Sequence, residues 1–252
     1  MYTAVKTLFI GFFLCLVSLP AYVIAAQAPG TILITGANRG LGLEFARQFK
    51  ARGYHVIGTV RKPGDAGALH KLGVQVEQLD VADDASANAL AGRLAGQPID
   101  ILINNAGIMG HNSRSITDLD FSKMVRTYQV NALGPMRVTK ALYDNLKQGK
   151  AHKIINITSM MGSITMNFGG AYDYRASKAA LNMLTNTLSK ELGKEGFICV
   201  VLHPGWVQTD MGGSSAPLTP QQSISGMIAV IDNLTSAANG KFYDYTGKAL
   251  PW

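Results

Sequence analysis

Hydrophobic positions along this chain fall into short runs separated by longer amphipathic stretches. Strand-length runs occupy residues 31–35, 55–60, 75–79, 99–103, 153–158, 197–202 and 241–245. Helical spacing predicts helices at 43–52, 65–72, 84–94, 118–146, 174–192 and 219–234, the fourth interrupted near Gly134-Pro135. Most of the strands are nearly continuous in apolar residues, as expected when a strand is buried on both faces. Strands of this kind alternating with helices predict an α/β domain: one doubly wound parallel sheet of about seven strands, with helices on both faces.

The first 28 residues break the pattern. No charged side chain occurs from Thr7 to Asn38, and Lys6 stands just upstream. Residues 8–19 form an apolar core, Pro20 ends it, and small residues up to Ala28 offer cleavage sites. The apolar stretch of about 20 residues is also just long enough to span a bilayer. Residues 1–28 therefore read as a signal peptide or a membrane anchor, cleavage and retention both remaining open. Membrane contact is expected only through residues 7–28, and residues 29–252 form the domain.

Composition narrows the function. With 47% apolar and 15% charged residues, the chain is not of the disordered class. Its net charge is +7, but the longest adjacent basic run is Arg61-Lys62, so no nucleic-acid partner is expected. The two cysteines, Cys15 and Cys199, form no Cys-x-x-Cys pair, and the five histidines (His55, His70, His111, His152, His203) show no ligand spacing. No metal site follows, and the histidines read as surface or satisfied residues.

The first strand runs into Gly36-Ala-Asn38-Arg39-Gly40-Leu41-Gly42 and then a helix. Gly36 permits a tight turn, Gly40 lets the backbone approach a pyrophosphate, and Gly42 allows close helix packing, with free N–H groups at the helix start facing phosphates. This is a Rossmann-type turn, although the literal Gly-x-Gly-x-x-Gly is absent. After the second strand an NAD site places a carboxylate on the ribose. Here stands Arg61 instead, with Arg39 inside the turn. Two guanidinium groups suit a 2′-phosphate, which favours NADP(H) over NAD(H). On the helix after the fifth strand, Tyr174 and Lys178 are four residues apart and share a face. A protonated lysine favours phenolate, so the spacing predicts a Tyr174 pKa pulled down from its usual ~10. Such a tyrosine exchanges protons with a carbonyl or alcohol oxygen. Ser159 stands at the end of that fifth strand, where ligands bind in such folds.

With these motifs in order, the sequence from about residue 31 to 252 resembles the short-chain dehydrogenase/reductase family. The matching residues are Thr35-Gly36-x-x-x-Gly40-x-Gly42, Asn104-Asn105-Ala106-Gly107, Asn131, Ser159, Tyr174-x-x-x-Lys178 and Pro204-Gly205. Within it, residues 160–164, 174–182 and 203–213 and the final Pro251-Trp252 are similar to the C-factor/sniffer-type carbonyl reductase branch. The resemblance implies Tyr174 as general acid/base, Ser159 binding the reacting oxygen, Lys178 holding the nicotinamide ribose, and Asn131 anchoring a water in a proton relay. It also implies Asp80 and Val81 at the adenine, Asn105, Ala106 and Gly107 at the adenosine ribose region, and Val207 and Thr209 at the nicotinamide end. The family commonly pairs through its two long helices, here about 118–146 and 174–192, so a homodimer is expected.

Two features depart from the family pattern. The interval from Ser159 to Tyr174 is slightly long, and the segment after Gly213 passes quickly to the last helix, leaving a short lid and an open pocket. The activity implied is interconversion of a small-molecule carbonyl and a secondary alcohol by hydride transfer. A nucleotide-binding signalling or sensing protein with little turnover is the alternative. Location stays open as well. The charge at Lys6 directs the domain across a membrane, whereas reduced NADP is a cytoplasmic metabolite.

Overall fold

The computed structural model describes Met1 and residues 29–252. The expected signal or anchor segment lies outside the described residues, Met1 apart. Among the described residues no helix is long and apolar enough to cross a membrane.

Seven strands, β1 (Thr31–Ile34), β2 (His55–Val60), β3 (Gln75–Gln78), β4 (Ile101–Asn104), β5 (Lys153–Ile157), β6 (Ile198–His203) and β7 (Phe242–Asp244), form one sheet in the order β3-β2-β1-β4-β5-β6-β7. Every neighbouring pair is parallel. The helices are α1 (Gly40–Ala51), α2 (Gly67–Lys71), α3 (Asp84–Arg93), α4 (Phe121–Tyr128), α5 (Gly134–Ala141), α6 (Tyr143–Gln148), α7 (Tyr172–Leu192) and α8 (Pro220–Asp232). β1 shows why both faces are covered. Ile32 and Ile34 enter one core with α1, α2 and α8, while Leu33 enters another with α3, α5, α6 and the end of α7. Phe45 and Phe49 on α1 are fully buried and stacked; each contributes on the order of 2–3 kcal/mol by leaving water.

Chain direction across the sheet reverses between β1 and β4, so the loops leaving their carboxyl ends diverge and open a crevice. This is where the site lies. Near it the elements differ from expectation. The first helix begins at Gly40 rather than 43, so its free N–H groups belong to the glycine turn itself. The region 118–146 is three helices, with a π-helical turn, Gln129–Leu133, between α4 and α5 and a break at Leu142. The interruption thus precedes Gly134-Pro135. Pro135 has no N–H to offer the Asn131 carbonyl four residues back, and the chain widens before it. α7 begins at Tyr172 rather than Tyr174, after Ala171 in a left-handed conformation (φ 48°).

Candidate active site

The two strand ends at the reversal are stitched by Thr35 and Asn105. Thr35 Oγ1 accepts from the main-chain N–H of Asn105 and Ala106, each at 3.0 Å. Asn105 Nδ2 donates to the carbonyls of Thr35 (2.9 Å) and Gly36 (3.1 Å). A Cβ on Gly42 would overlap the Gly36 carbonyl oxygen and stand 2.6 Å from Asn105 Nδ2. Gly42 is therefore required by the turn and by Asn105, where the sequence led us to expect packing against the strand.

The resulting cleft of about 590 Å³ is lined at one end by Gly36, Asn38, Arg39, Gly40, Leu41 and Arg61. Thr209 (beside Gly40), Asp80, Val81, Asn105, Ala106 and Gly107 continue it, and Tyr174, Lys178 and Pro204 line it too. Five residues named from sequence are not part of this surface, Ser159 among them, which is buried beside Tyr174. Asn131 is fully buried, and Val207 is buried and bridged in parallel to Leu218. Gly205 makes a turn (φ 82°) against Leu218 and Tyr245, and Gly42 packs as described. Asp65, Ile108, Arg126, Val130, Asp210 and Met211 also line the cleft and had no signal in the sequence beyond their proximity to motifs.

At the adenosine end the residue directly after β2 is Arg61 rather than a carboxylate; it lines the cleft, with Asp65 four residues further on. Arg39 differs from expectation. Its guanidinium pairs with Asp210 on the loop after β6, and both side chains are exposed. An exposed pair of this kind contributes little and exchanges readily for another anion. Asp80 Oδ1 accepts from Ala82 N–H at 2.9 Å, and its other oxygen lies 3.8 Å from Arg126. The cradle fits a dinucleotide. A Cβ on Gly36 would come 3.0 Å from Ala106 Cα, whereas Gly40 faces only the Thr209 methyl at 3.7 Å.

At the other end, a buried polar ladder fixes α7 on the sheet. Asn104 Nδ2 donates to Asn156 Oδ1 (2.8 Å), Asn156 Nδ2 to Thr185 Oγ1 (2.8 Å), and Thr158 Oγ1 to Asn182 Oδ1 (2.6 Å). This brings Tyr174 and Lys178 to Ser159, whose Oγ is held by the N–H of Met161 at 3.1 Å. Lys178 Nζ donates to the Ile157 carbonyl at 2.8 Å and lies 5.8 Å from the Tyr174 ring centre. Asn131 Oδ1 accepts from Ile108 N–H, and its Nδ2 donates to the Ile108 carbonyl, both at 2.8 Å. Tyr172 is exposed at the start of α7, while Tyr174 is buried.

The expected lowering of the Tyr174 pKa is not seen. Burial pushes the phenol up to about 12, with a hydrogen bond from Ser159 pulling the other way. Burial also brings Lys178 down to about 8. Desolvation disfavours phenolate and ammonium alike, and at Tyr174 it outweighs the hydrogen bond from Ser159. The histidines need a correction too. His203, at the end of β6, is lowered to about 4 by burial, and its Nδ1, like Nε2 of His152, is buried without a partner. Among the described residues no group of three or more His, Cys, Asp or Glu could hold a metal.

The profile of the short chain dehydrogenases matches residues 30–218. The chain belongs to the short-chain dehydrogenase/reductase family. This member is an oxidoreductase by family. It is 49% identical over 165 residues to the C-signal of Myxococcus xanthus, which covers 65% of this chain and 99% of that one. Among solved structures it is similar to the NADPH-bound carbonyl reductase from chicken fatty liver, at 37% identity and a TM-score of 0.82 over 88% of this chain and 98% of that one. The carbonyl reductase Sniffer of D. melanogaster is alike to the same degree, with 37% identity, a TM-score of 0.82, and coverage of 88% and 99%.

Proposed function

We propose that this dehydrogenase/reductase is NADP(H)-dependent and interconverts a carbonyl and a secondary alcohol, with Tyr174 as general acid/base. The observation that carries this reading is that Tyr174, hydrogen-bonded to Ser159, and Lys178 line one cleft together with Arg61, which stands directly after β2 where an NAD site would place a carboxylate. When bound, the nicotinamide supplies the hydride for reduction or accepts it for oxidation.

The chain's own residues do the rest. Ser159 and Tyr174 donate hydrogen bonds to the carbonyl oxygen and orient it, and Tyr174 delivers its proton there. A phenol held up at about 12 is fully protonated at neutral pH, as an acid for reduction must be, and it remains a far stronger acid than an alcohol. Lys178, lowered to about 8, is still mostly charged at pH 7 and faces the phenolate as it forms. Pro135 has no N–H to offer the Asn131 carbonyl, and in this reading that oxygen anchors the relay water. Asn38, Gly40 and Leu41 present the helix start to the pyrophosphate, with Gly36 and Gly42 shaping the turn. Asp80 and Val81 take the adenine. Asn105, Ala106 and Gly107 take the ribose region. Pro204, Gly205, Val207 and Thr209 shape the nicotinamide end, Val207 from behind. Arg61 meets the 2′-phosphate, and Arg39 joins it by leaving Asp210.

Titration of NADPH and NADH, followed by a carbonyl panel with NADPH, tests the reading. Expected are tighter NADPH binding, turnover of a carbonyl, and a Tyr174→Phe variant that binds NADPH normally but loses at least ~10³-fold in rate. A preference for NADH, or an active Tyr174→Phe, would overturn it. The resemblance to a protein named C-signal favours a second reading, a cofactor-binding signalling protein with little turnover. Normal NADPH binding with no reduction of any carbonyl is its signature. Residues 1–28 remain, in this proposal, a signal or anchor.

A further inference from the structure

Tyr174 stands between two buried charged residues that the mechanism above does not use. Asp173 is 2% exposed and Arg175 7%. Among the described residues neither takes part in an ion pair. Each is directed instead at main-chain groups of a different loop. We infer that Asp173 and Arg175 are positioning residues that hold the two walls of the substrate space against the Tyr174 phenol. This rests on the reading of Tyr174 as the general acid.

The first wall is the loop after β4. Asp173 Oδ2 accepts from the main-chain N–H of His111 at 2.5 Å and Asn112 at 3.3 Å, and Tyr172 N–H donates to the Ser113 carbonyl at 3.1 Å. The approach is so close that a Cβ on Gly110 would overlap both Asp173 Oδ2 and Thr127 Oγ1. Three residues upstream, Asn131 grips the same loop at Ile108. The loop is therefore clamped at both ends, once by the relay asparagine and once by the neighbour of the catalytic tyrosine.

The second wall is the loop that joins Ser159 to α7. Gly169, Gly170 and Ala171 are all left-handed (φ 86°, 69° and 48°), a shape that forms no regular ladder. Arg175 supplies the missing bonds. Its Nε donates to the Gly169 and Gly170 carbonyls, each at 3.0 Å, and Nη1 to the Met161 carbonyl at 3.3 Å. The guanidinium also stacks 4.2 Å over Phe168. A helix start that only had to pack would bury apolar side chains, because an unpaired buried charge is costly. Here the two charges flanking the phenol tie it to both loops through one helical turn. A displacement of either wall by about 1 Å is enough to misalign a substrate.

The test uses the full chain with Asp173→Ala, Asp173→Asn, Arg175→Met and Arg175→Lys. It reads amide hydrogen exchange, the Kd for NADPH, and steady-state reduction of 4-nitrobenzaldehyde as a probe carbonyl. Asp173→Ala is expected to speed exchange at His111 and Asn112 by at least ~10-fold and to raise KM more than it lowers kcat, with NADPH affinity unchanged. Asp173→Asn keeps an oxygen for the same two amides and should restore both. Arg175→Met should loosen residues 161–171 in the same way, with partial rescue by Arg175→Lys. Unchanged exchange in these loops, or a uniform rise in exchange with NADPH affinity falling in step, would overturn the inference. If Asp173→Ala does not fold, the Arg175 pair decides it. Should the wild type leave the probe unreduced, the reading of Tyr174 is what fails, and local exchange still decides whether these residues hold the loops.

Discussion

Lys178 works at the point where catalysis and stability oppose each other. Its ammonium is buried, has one carbonyl partner, and is lowered from 10.5 to about 8. A cation whose pKa falls on folding destabilises the fold at every pH below its folded value. That cost is relieved as pH rises from about 8 to 10.5, where the unfolded chain loses the same proton. The shift corresponds to about 3 kcal/mol, from which the lost bond to Ile157 subtracts about 1 kcal/mol. Lys178→Met is therefore expected to be more stable than the parent by about 2 kcal/mol at pH 7, raising Tm by several degrees while abolishing turnover. The gain should shrink as pH approaches 10. Calorimetry across pH 6–10 measures it, and a variant less stable at pH 7 than the parent contradicts it. Tyr174 acts with opposite sign only at higher pH. Its folded value near 12 stabilises nothing below pH 10 and costs stability above it.

At the scale of elements, the glycine turn separates two roles that sequence spacing alone runs together. Gly42→Ala would drive a methyl into the Gly36 carbonyl, which is backbone and cannot swing away. The cost expected is at least ~2 kcal/mol, visible as a lower denaturation midpoint. Gly40→Ala meets only the Thr209 methyl but must hold φ at 55°, a strain of ~1 kcal/mol. It should fold and lose NADPH affinity instead. Equal stability of the two variants would refute the distinction. The turn was legible because glycine spacing is a backbone requirement written in residue type, and Tyr174, Lys178 and Ser159 were legible because strand end and helix periodicity locate them. What stayed hidden depends on tertiary packing. Asp173, Arg175, Arg126 and Asp210 look in sequence like the polar face of an amphipathic stretch or a loop. The Tyr174 pKa went the other way because helical spacing reveals its neighbour Lys178 but not the burial of both. The interruption expected near Gly134-Pro135 lies a few residues earlier, because Pro135 marks where the helical bond is lost while the widening precedes it.

For the whole molecule, the homodimer expected from the sequence would bury side chains that are exposed in the single chain. Phe121, Val125 and Tyr128 recur along one face of α4, and Met183 is exposed on the neighbouring α7. Exposed apolar side chains grouped on neighbouring helices suit an interface. On the proposed two-fold pairing through these helices, sedimentation should give a dimer mass, and Val125→Lys should shift it toward monomer without changing the Kd for NADPH. A wild-type monomer would exclude that pairing.

The domain's lower edge is defined by its own bonds. Thr31 N–H donates to Asp100 Oδ2 at 2.7 Å, and His55 N–H to the Gly30 carbonyl at 3.0 Å, so β1 is anchored from its first residue onward. Gly30 takes φ 117°, where a side chain would collide with Asp100, and Pro29 lies beside Gly53. Among the described residues, every one that lines the cleft lies at Gly36 or beyond. A chain beginning at Pro29 is therefore expected to be soluble, to unfold in a single transition, and to bind NADPH within twofold of the full-length protein. The comparison is made by isothermal titration on both chains in the same buffer, with the same detergent present for both. An affinity more than tenfold weaker, or a truncated chain that aggregates, would mean that residues 1–28 contribute to the core. Sequencing the N-terminus of the mature protein from fractionated cells then separates cleavage from anchoring. A new terminus within residues 26–29 identifies a signal that is removed, and Met1 in the membrane fraction identifies an anchor that stays.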